Sequence, residues 1–102
     1  MKAKMYNWSC WVTETRPDVL FARYEQLLIE SGFHIVDSCI KMFSPQGFTA
    51  LFLLSESHFA IHTFPERGKS YLELSSCVKN QFDAFTQKHV DRHIAGVTIC
   101  DR

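Results

Sequence analysis

The residues able to do chemistry concentrate in one stretch, Ser55-Glu56-Ser57-His58-Phe59-Ala60-Ile61-His62-Thr63-Phe64-Pro65-Glu66, with two serines, two carboxylates and two histidines in a dozen positions. What they can do depends on the backbone that carries them. On a helix, His58 and His62 would share a face and could clamp zinc. The run ends in Phe64-Pro65, which disfavours helix at Phe64, and its residues alternate, with Phe59, Ile61 and Thr63 on one side and His58, Ala60, His62 and Phe64 on the other. The stretch therefore reads as a strand. At a rise of roughly 3.3 Å per residue the two histidines stand about 13 Å apart, too far to share a metal, so no metal centre is expected. His89 and His93 are also four apart, but they straddle a predicted helix end without carboxylate support. What remains is Ser57 at the mouth of a strand and His62 five residues later. If the chain turns sharply at Glu56-Ser57, the imidazole could fold back to move protons around the serine hydroxyl.

The elements that must position these groups follow from pattern. Met5 to Val12, with Tyr6, Trp8 and Trp11, reads as a first strand. Thr15-Arg16-Pro17-Asp18 opens a helix: proline is tolerated in the first turn, and Asp18 complements the positive end of the helix dipole. Leu20, Tyr24, Leu27, Leu28 and Ser31 recur at helical spacing, and Gly32 supplies a stop. Phe33 to Phe43 reads as a second strand, Ser44-Pro45-Gln46-Gly47 as a turn, and the apolar run Phe48 to Leu54 as a strand buried on both faces. After the strand from His58 to Phe64, a polar turn around Arg67-Gly68-Lys69 leads to a strand from Tyr71 to Ser76, which delivers Cys77. Val78, Phe82 and Phe85 mark an amphipathic helix over roughly Asn80 to His89, and Ile94 to Cys100 forms a terminal strand. The order β-α-β-β-β-β-α-β predicts an α+β fold: a two-layer α/β sandwich, a largely antiparallel sheet with two helices on one face. The other sheet face needs a cover, and a second subunit is the expected one.

At 102 residues the chain is expected to form one domain, residues 1–102, burying about two-thirds of its unfolded surface. Eleven basic and eleven acidic side chains cancel, and no block of like charge occurs. That excludes a broad electrostatic footprint for nucleic acid or an anionic membrane and favours a small-molecule partner. Fourteen aromatics could fill a core, a subunit interface or a stacking pocket. Cys10, Cys39, Cys77 and Cys100 form no Cys-x-x-Cys pair, and no apolar run approaches the roughly 20 residues that span a bilayer. A reduced cytoplasmic setting is expected. Cys10, Cys39 and Cys100 read as structural, and His34, His89 and His93 as surface or core residues.

Ser-Glu-Ser-His, then His-Thr-aromatic-Pro-Glu, then a cysteine eleven residues beyond that glutamate together resemble S-adenosylmethionine decarboxylase of the small prokaryotic type. The similarity runs from the first strand to the second helix. The chain departs from the family pattern at Glu73, Ser76 and Val78, where relatives commonly carry aspartate, threonine and glycine, and its first strand lacks a Gly-x-His opening.

Decarboxylating an α-amino acid needs an electron sink, which ordinary side chains do not supply. The resemblance implies a self-made one: a covalent pyruvoyl group derived from Ser57. Its hydroxyl attacks the Glu56 carbonyl to form an ester, and elimination divides the chain into a β chain of residues 1–56 and an α chain from residue 57. By the same resemblance Thr49 polarises the carbonyl, and His62, of a type that titrates near 6.5, takes the α-proton. Cys77 reprotonates the product carbon, Glu66 binds the ribose hydroxyls and Phe43 stacks on adenine. The implied product is decarboxylated S-adenosylmethionine, the aminopropyl donor for spermidine and other polyamines, made by a homodimer of four α-β-β-α layers. Without the motif, Cys77 reads as a small buried hydrophobe, Phe43 as core, Glu66 as a solvated charge and Thr49 as an ordinary strand residue. The alternatives are a pyruvoyl-dependent ornithine or arginine decarboxylase, or a silent homologue that binds a partner subunit.

Overall fold

Phe48, Ala50, Phe52 and Leu54 are buried while Leu51 and Leu53 between them are exposed, and a similar two-residue period runs through Lys69 to Leu74. That alternation organises the computed structural model of the chain, which describes residues 4–92 and 99–100. Its elements in order are β1 (Tyr6–Val12), α1 (Pro17–Glu30), β2 (Ile35–Met42), β3 (Phe48–Leu54), β4 (Ser57–Phe64), a 3-10 turn (Pro65–Arg67), β5 (Lys69–Ser76), α2 (Lys79–Arg92) and β6 (Ile99–Cys100). One six-stranded sheet takes the order β2-β3-β4-β5-β1-β6, with every pair antiparallel. The fold is the α+β arrangement expected from the pattern. Of the expected terminal strand, 94–98 lie outside the described residues, as does His93; Ile99 and Cys100 pair with Val12 and Trp11.

Both helices cover one face. Leu20, Tyr24, Leu27 and Leu28 of α1 and Phe85 of α2 join Phe52, Phe59, Ile61, Leu72 and Leu74 of the central strands in one core. Tyr24 stacks on Phe59 with ring centres 5.5 Å apart, and its hydroxyl meets His89 Nε2 at 2.7 Å. Burial pushes the phenol far above its usual range, so the Tyr24–His89 contact is made by a neutral Tyr24 hydroxyl. His89 is thus a core residue, edge-on to Trp8. It lies inside α2, which extends past the expected end at His89 with support from Gln87 donating to Asp91 one turn on.

The opposite face is open, which corrects the expectation that β3 is buried on both sides. Leu51 and Leu53 are 48% and 55% exposed because the helices lie on the other face of the sheet. A continuous apolar run records that both faces avoid water, without saying which neighbour covers the second.

Glu14 fixes where α1 begins. Its carboxylate is buried and accepts from the backbone N–H of Thr15 and Arg16 and from Arg16 Nε and Nη2, at 2.7 to 3.0 Å. Ser70 Oγ donates to the Glu14 carbonyl at 2.6 Å, tying the helix start to β5. At the far end Gly32, at φ +97°, turns the chain out of the helix, and Gln81 Nε2 of α2 donates to its carbonyl at 2.9 Å. The hydrogen bonds from Arg16 outweigh the effect of burial and hold the Glu14 carboxyl down at about 2. A carboxyl depressed on folding stabilises the fold above its unfolded pKa of roughly 4.3, and this contribution is lost as the pH falls toward the folded value. The melting temperature of Glu14→Gln should therefore lie below wild type at pH 6, and the gap should close between pH 4.5 and pH 2. A gap of constant size across that window would assign the loss to packing instead of charge.

Candidate active site

Two groups of functional side chains form at opposite ends of β4. The first is built by a hairpin. Leu54 pairs with Ser57, leaving Ser55 and Glu56 as a two-residue turn, and Glu56 sits at φ +62°, in the left-handed region that costs a residue with a side chain roughly 1–2 kcal/mol. Ser57 opens β4 and pairs with Ser76 at the end of β5, so that Cys77 arrives beside the turn. The Glu56 carbonyl oxygen accepts from both the backbone N–H and the thiol of Cys77, each at 3.4 Å. Ser57 is 7% exposed, and its hydroxyl donates to Ser76 Oγ at 2.6 Å. A nucleophilic hydroxyl, a backbone carbonyl under two donors and a positive φ thus meet at one peptide bond.

The second group occupies the open face. Thr49 and His62 are cross-strand partners, with Thr49 Oγ1 3.0 Å from His62 Nδ1. Tyr71 flanks the imidazole from β5 with near-parallel rings 6.5 Å apart, and Trp11 packs on Tyr71 at 5.1 Å. When Nδ1–H donates to Thr49, Nε2 keeps its lone pair and can act as a base. Beside this pair, Phe43, Thr49, His62, Phe64 and Glu66 line a cleft of about 280 Å³. Phe43 is half exposed instead of lying in the core, and Gly47, at φ +111°, returns the chain beneath it. Glu66 sits in the 3-10 turn, with Gln46 Nε2 3.5 Å from its carboxylate.

Glu56, Ser57 and Cys77 therefore come together, as do Thr49, His62, Phe43 and Glu66, but within one chain the two groups do not meet. Five residues of strand separate Ser57 from His62 by about 16 Å at roughly 3.3 Å each, and their side chains leave opposite faces. The expected sharp turn lies one residue earlier, at Ser55-Glu56, so β4 runs straight from Ser57 and carries His62 away. His58 is exposed on the open face beside Leu53. Ser76 and Tyr71 escaped the sequence reasoning as neighbours of Ser57 and His62. The signal for both was the hairpin register, because the tight turn between β4 and β5 sets which residues face each other. Among the described residues, no cluster of three or more His, Cys, Asp or Glu could hold a metal, and no helix is long and apolar enough to cross a membrane.

The class of protein is an α+β domain with an antiparallel, helix-backed sheet, whose β3–β4 hairpin tip carries Glu56 in a left-handed backbone next to the buried Ser57. The family model for S-adenosylmethionine decarboxylase matches residues 15–95, and the chain belongs to that family. Among curated relatives, the S-adenosylmethionine decarboxylase proenzyme of Brevibacillus brevis is 62% identical over 46 residues, 45% of this chain and 35% of its own length. The Moorella thermoacetica proenzyme is 41% identical over 58 residues, 55% of this chain and 46% of its own. That of Acetivibrio thermocellus is 32% identical over 76 residues, covering 70% and 61%. The matched stretches thus span about a third to three-fifths of these relatives. The fold is shared with a crystal structure of the adenosylmethionine decarboxylase from Aquifex aeolicus, with a TM-score of 0.63 and 18% identity over 96% of this chain and 89% of that one.

The left-handed backbone at Glu56 can be tested in the Ser57→Ala background, where the bond cannot be cut. Adding Glu56→Gly should raise stability to denaturant by about 0.5 kcal/mol or more, since relief of the strain exceeds the entropy that glycine adds to the unfolded chain. A loss of stability would show that the residue tolerates its backbone without strain.

Proposed function

We propose that the chain is a proenzyme that cuts itself between Glu56 and Ser57 and becomes a pyruvoyl-dependent S-adenosylmethionine decarboxylase. The observation that carries this reading is the Glu56-Ser57 bond, left-handed on one side, with its carbonyl oxygen under the N–H and thiol of Cys77. Attack by Ser57 Oγ on the Glu56 carbonyl turns that oxygen toward an oxyanion, and the two donors already aimed at it stabilise the charge. Collapse leaves an ester and a free amine at residue 57. Loss of the α-proton and of the Glu56 carboxylate then makes a dehydroalanine, which takes up water and releases ammonia to leave the pyruvoyl group at the head of the α chain. The residues fit that group, because residue 57 begins a strand and Cys77 stands beside the bond to be broken. Once formed, it supplies the electron sink that decarboxylation requires.

The chain's own residues would do the rest. The Cys77 thiol gives a proton to the carbon left by carbon dioxide. Glu66 accepts from the two ribose hydroxyls, and the half-exposed Phe43 offers its face to adenine and to the sulfonium charge. A stacking aromatic and a carboxylate in one cleft favour a nucleoside substrate over ornithine or arginine. Because Cys77 must stay a thiol, a reducing cytoplasm suits the enzyme, whose product is an aminopropyl donor for spermidine.

A homodimer reconciles the two separated groups. Two copies that pack their open faces with β4 strands antiparallel about Ala60 bury Leu51 and Leu53. They also set the His62–Thr49 pair and Phe43–Glu66 cleft of one subunit over the Glu56–Ser57 bond of the other. This four-layer α-β-β-α assembly covers the face that the helices leave bare.

Intact-mass analysis should find two fragments divided at Glu56-Ser57 in the wild type and one chain in Ser57→Ala; a wild type left whole after long incubation would sink the enzyme reading. Carbon dioxide release should be fast with S-adenosylmethionine and absent with ornithine or arginine. Coexpression tests the dimer separately. Chains carrying Ser57→Ala or His62→Ala should each stay whole alone, whereas together the His62→Ala chain should be cut, with its missing imidazole supplied by the partner. Failure of mixed dimers to cut would place the base within one chain.

A further inference from the structure

Ser57 touches a side chain to which the resemblance assigns no role, Ser76. Its hydroxyl donates across the β4–β5 pair to Ser76 Oγ at 2.6 Å, and the backbone N–H of Val78 donates to the same oxygen at 3.0 Å. Ser76 is wholly buried, so the contact is shielded from competing water. With both lone pairs of Ser76 Oγ taken by incoming donors, its own proton is directed elsewhere.

We propose that Ser76 is a hydrogen-bonding partner of the cleavage reaction, first holding the Ser57 hydroxyl in place and then donating to the same oxygen as it leaves. This inference rests on the self-cleavage reading. Before attack, the bond to Ser76 confines Ser57 to one side-chain rotamer and keeps its oxygen at the hairpin tip. In the acyl shift the Ser57 proton ends on the departing amide nitrogen, so the oxygen, now part of an ester, can only accept. Ser76, no longer receiving the Ser57 proton, turns its own O–H toward it. In the elimination the base removes the α-proton of residue 57 and a double bond forms between Cα and Cβ. The Cβ–Oγ bond breaks, and its electron pair leaves on Oγ as the carboxylate of Glu56. A donor on that oxygen stabilises the charge as it develops. A hydroxyl can accept in the first step and donate in the second, whereas a methyl group can do neither and a thiol donates weakly.

The test compares wild type with Ser76→Ala, Ser76→Cys and Ser76→Thr, each checked by thermal melting. Cleavage is followed by intact mass, and the ester is scored as the fraction that hydroxylamine cuts. Ser76→Ala should slow cleavage by about tenfold to a hundredfold, the usual weight of a hydrogen bond to a charged group, and should accumulate hydroxylamine-sensitive chain. Ser76→Thr, which keeps the hydroxyl, should cleave within a few-fold of wild type without that accumulation. A folded Ser76→Ala that cleaves at the wild-type rate, or a folded Ser76→Thr as slow as Ser76→Ala, overturns the role of Ser76. Should Ser76→Ala not fold, slow Ser76→Cys beside fast Ser76→Thr supports the role, and equal rates overturn it. A wild type that is never cut refutes the cleavage reading and this role with it, whereas a cut wild type beside an unimpaired Ser76→Ala refutes the role of Ser76 and leaves cleavage standing.

Discussion

The register between β4 and β5 is the constraint on which the rest of the molecule depends. Ser57 faces Ser76, Phe59 faces Leu74, Ile61 faces Leu72 and His62 faces Tyr71. Because side chains alternate along a strand, a slip of one residue would turn Phe59 and Ile61 outward and send His58 and His62 beneath the helices. The slip is prevented from the core side: Phe59, Ile61, Leu72 and Leu74 are all fully buried. The same pairs that exclude water set Ser57 against Ser76 and bring Cys77 to the Glu56 carbonyl. Packing on one face thus places Ser57, Ser76 and Cys77 together at the strand end.

The helices enforce this register and take no direct part in the site. Tyr24 links α1, α2 and β4 by stacking on Phe59 and meeting His89 through its hydroxyl, a polar contact that burial makes costly to break. Glu14 and Gly32 fix the two ends of α1, and both are tied to other elements, by Ser70 of β5 and Gln81 of α2. The amphipathic helices cover the central strands on one sheet face and leave the other to Leu51, Leu53, Ala60 and the Trp11–Tyr71–His62 ladder. A two-layer domain with one bare sheet face has an unfinished second surface.

Much of this was legible in the sequence. The alternation from His58 to Phe64 gave the strand and its two faces, the Pro17–Asp18 opening gave α1, and Gly47 and Gly68 marked turns that both use positive φ. The grouping of site residues was less accessible. Spacing along the chain brought Ser57 and His62 into one motif, yet a strand carries residues five apart to different ends and different faces. Ser76 and Cys77, nineteen and twenty residues downstream of Ser57, come closer to it than His62 does. Proximity across a sheet follows from hairpin register, and register depends on where each turn falls. The burial of β3 was misread for a related reason: an apolar run states what the strand avoids and not which face is covered.

The hairpin tip also bears on the proposed cleavage, because the Glu56-Ser57 bond is placed differently from a peptide bond inside a ladder. Attack by a serine hydroxyl on the preceding carbonyl distorts a planar amide, and in a regular ladder that distortion would break paired hydrogen bonds on both sides. At Glu56-Ser57 the carbonyl belongs to a turn residue, outside the β3–β4 ladder, so its partners are the thiol and N–H of Cys77 from a third strand end. Those donors keep their position when the carbonyl carbon becomes tetrahedral, since neither is carried by the segment that moves. On the other side of the bond, β4 begins at once and anchors residue 57 through its pairing with Leu54 and Ser76. The proposed acyl shift would thus act on a carbonyl carried by the two-residue turn, outside the ladder, and on a nucleophile fixed at the first residue of β4.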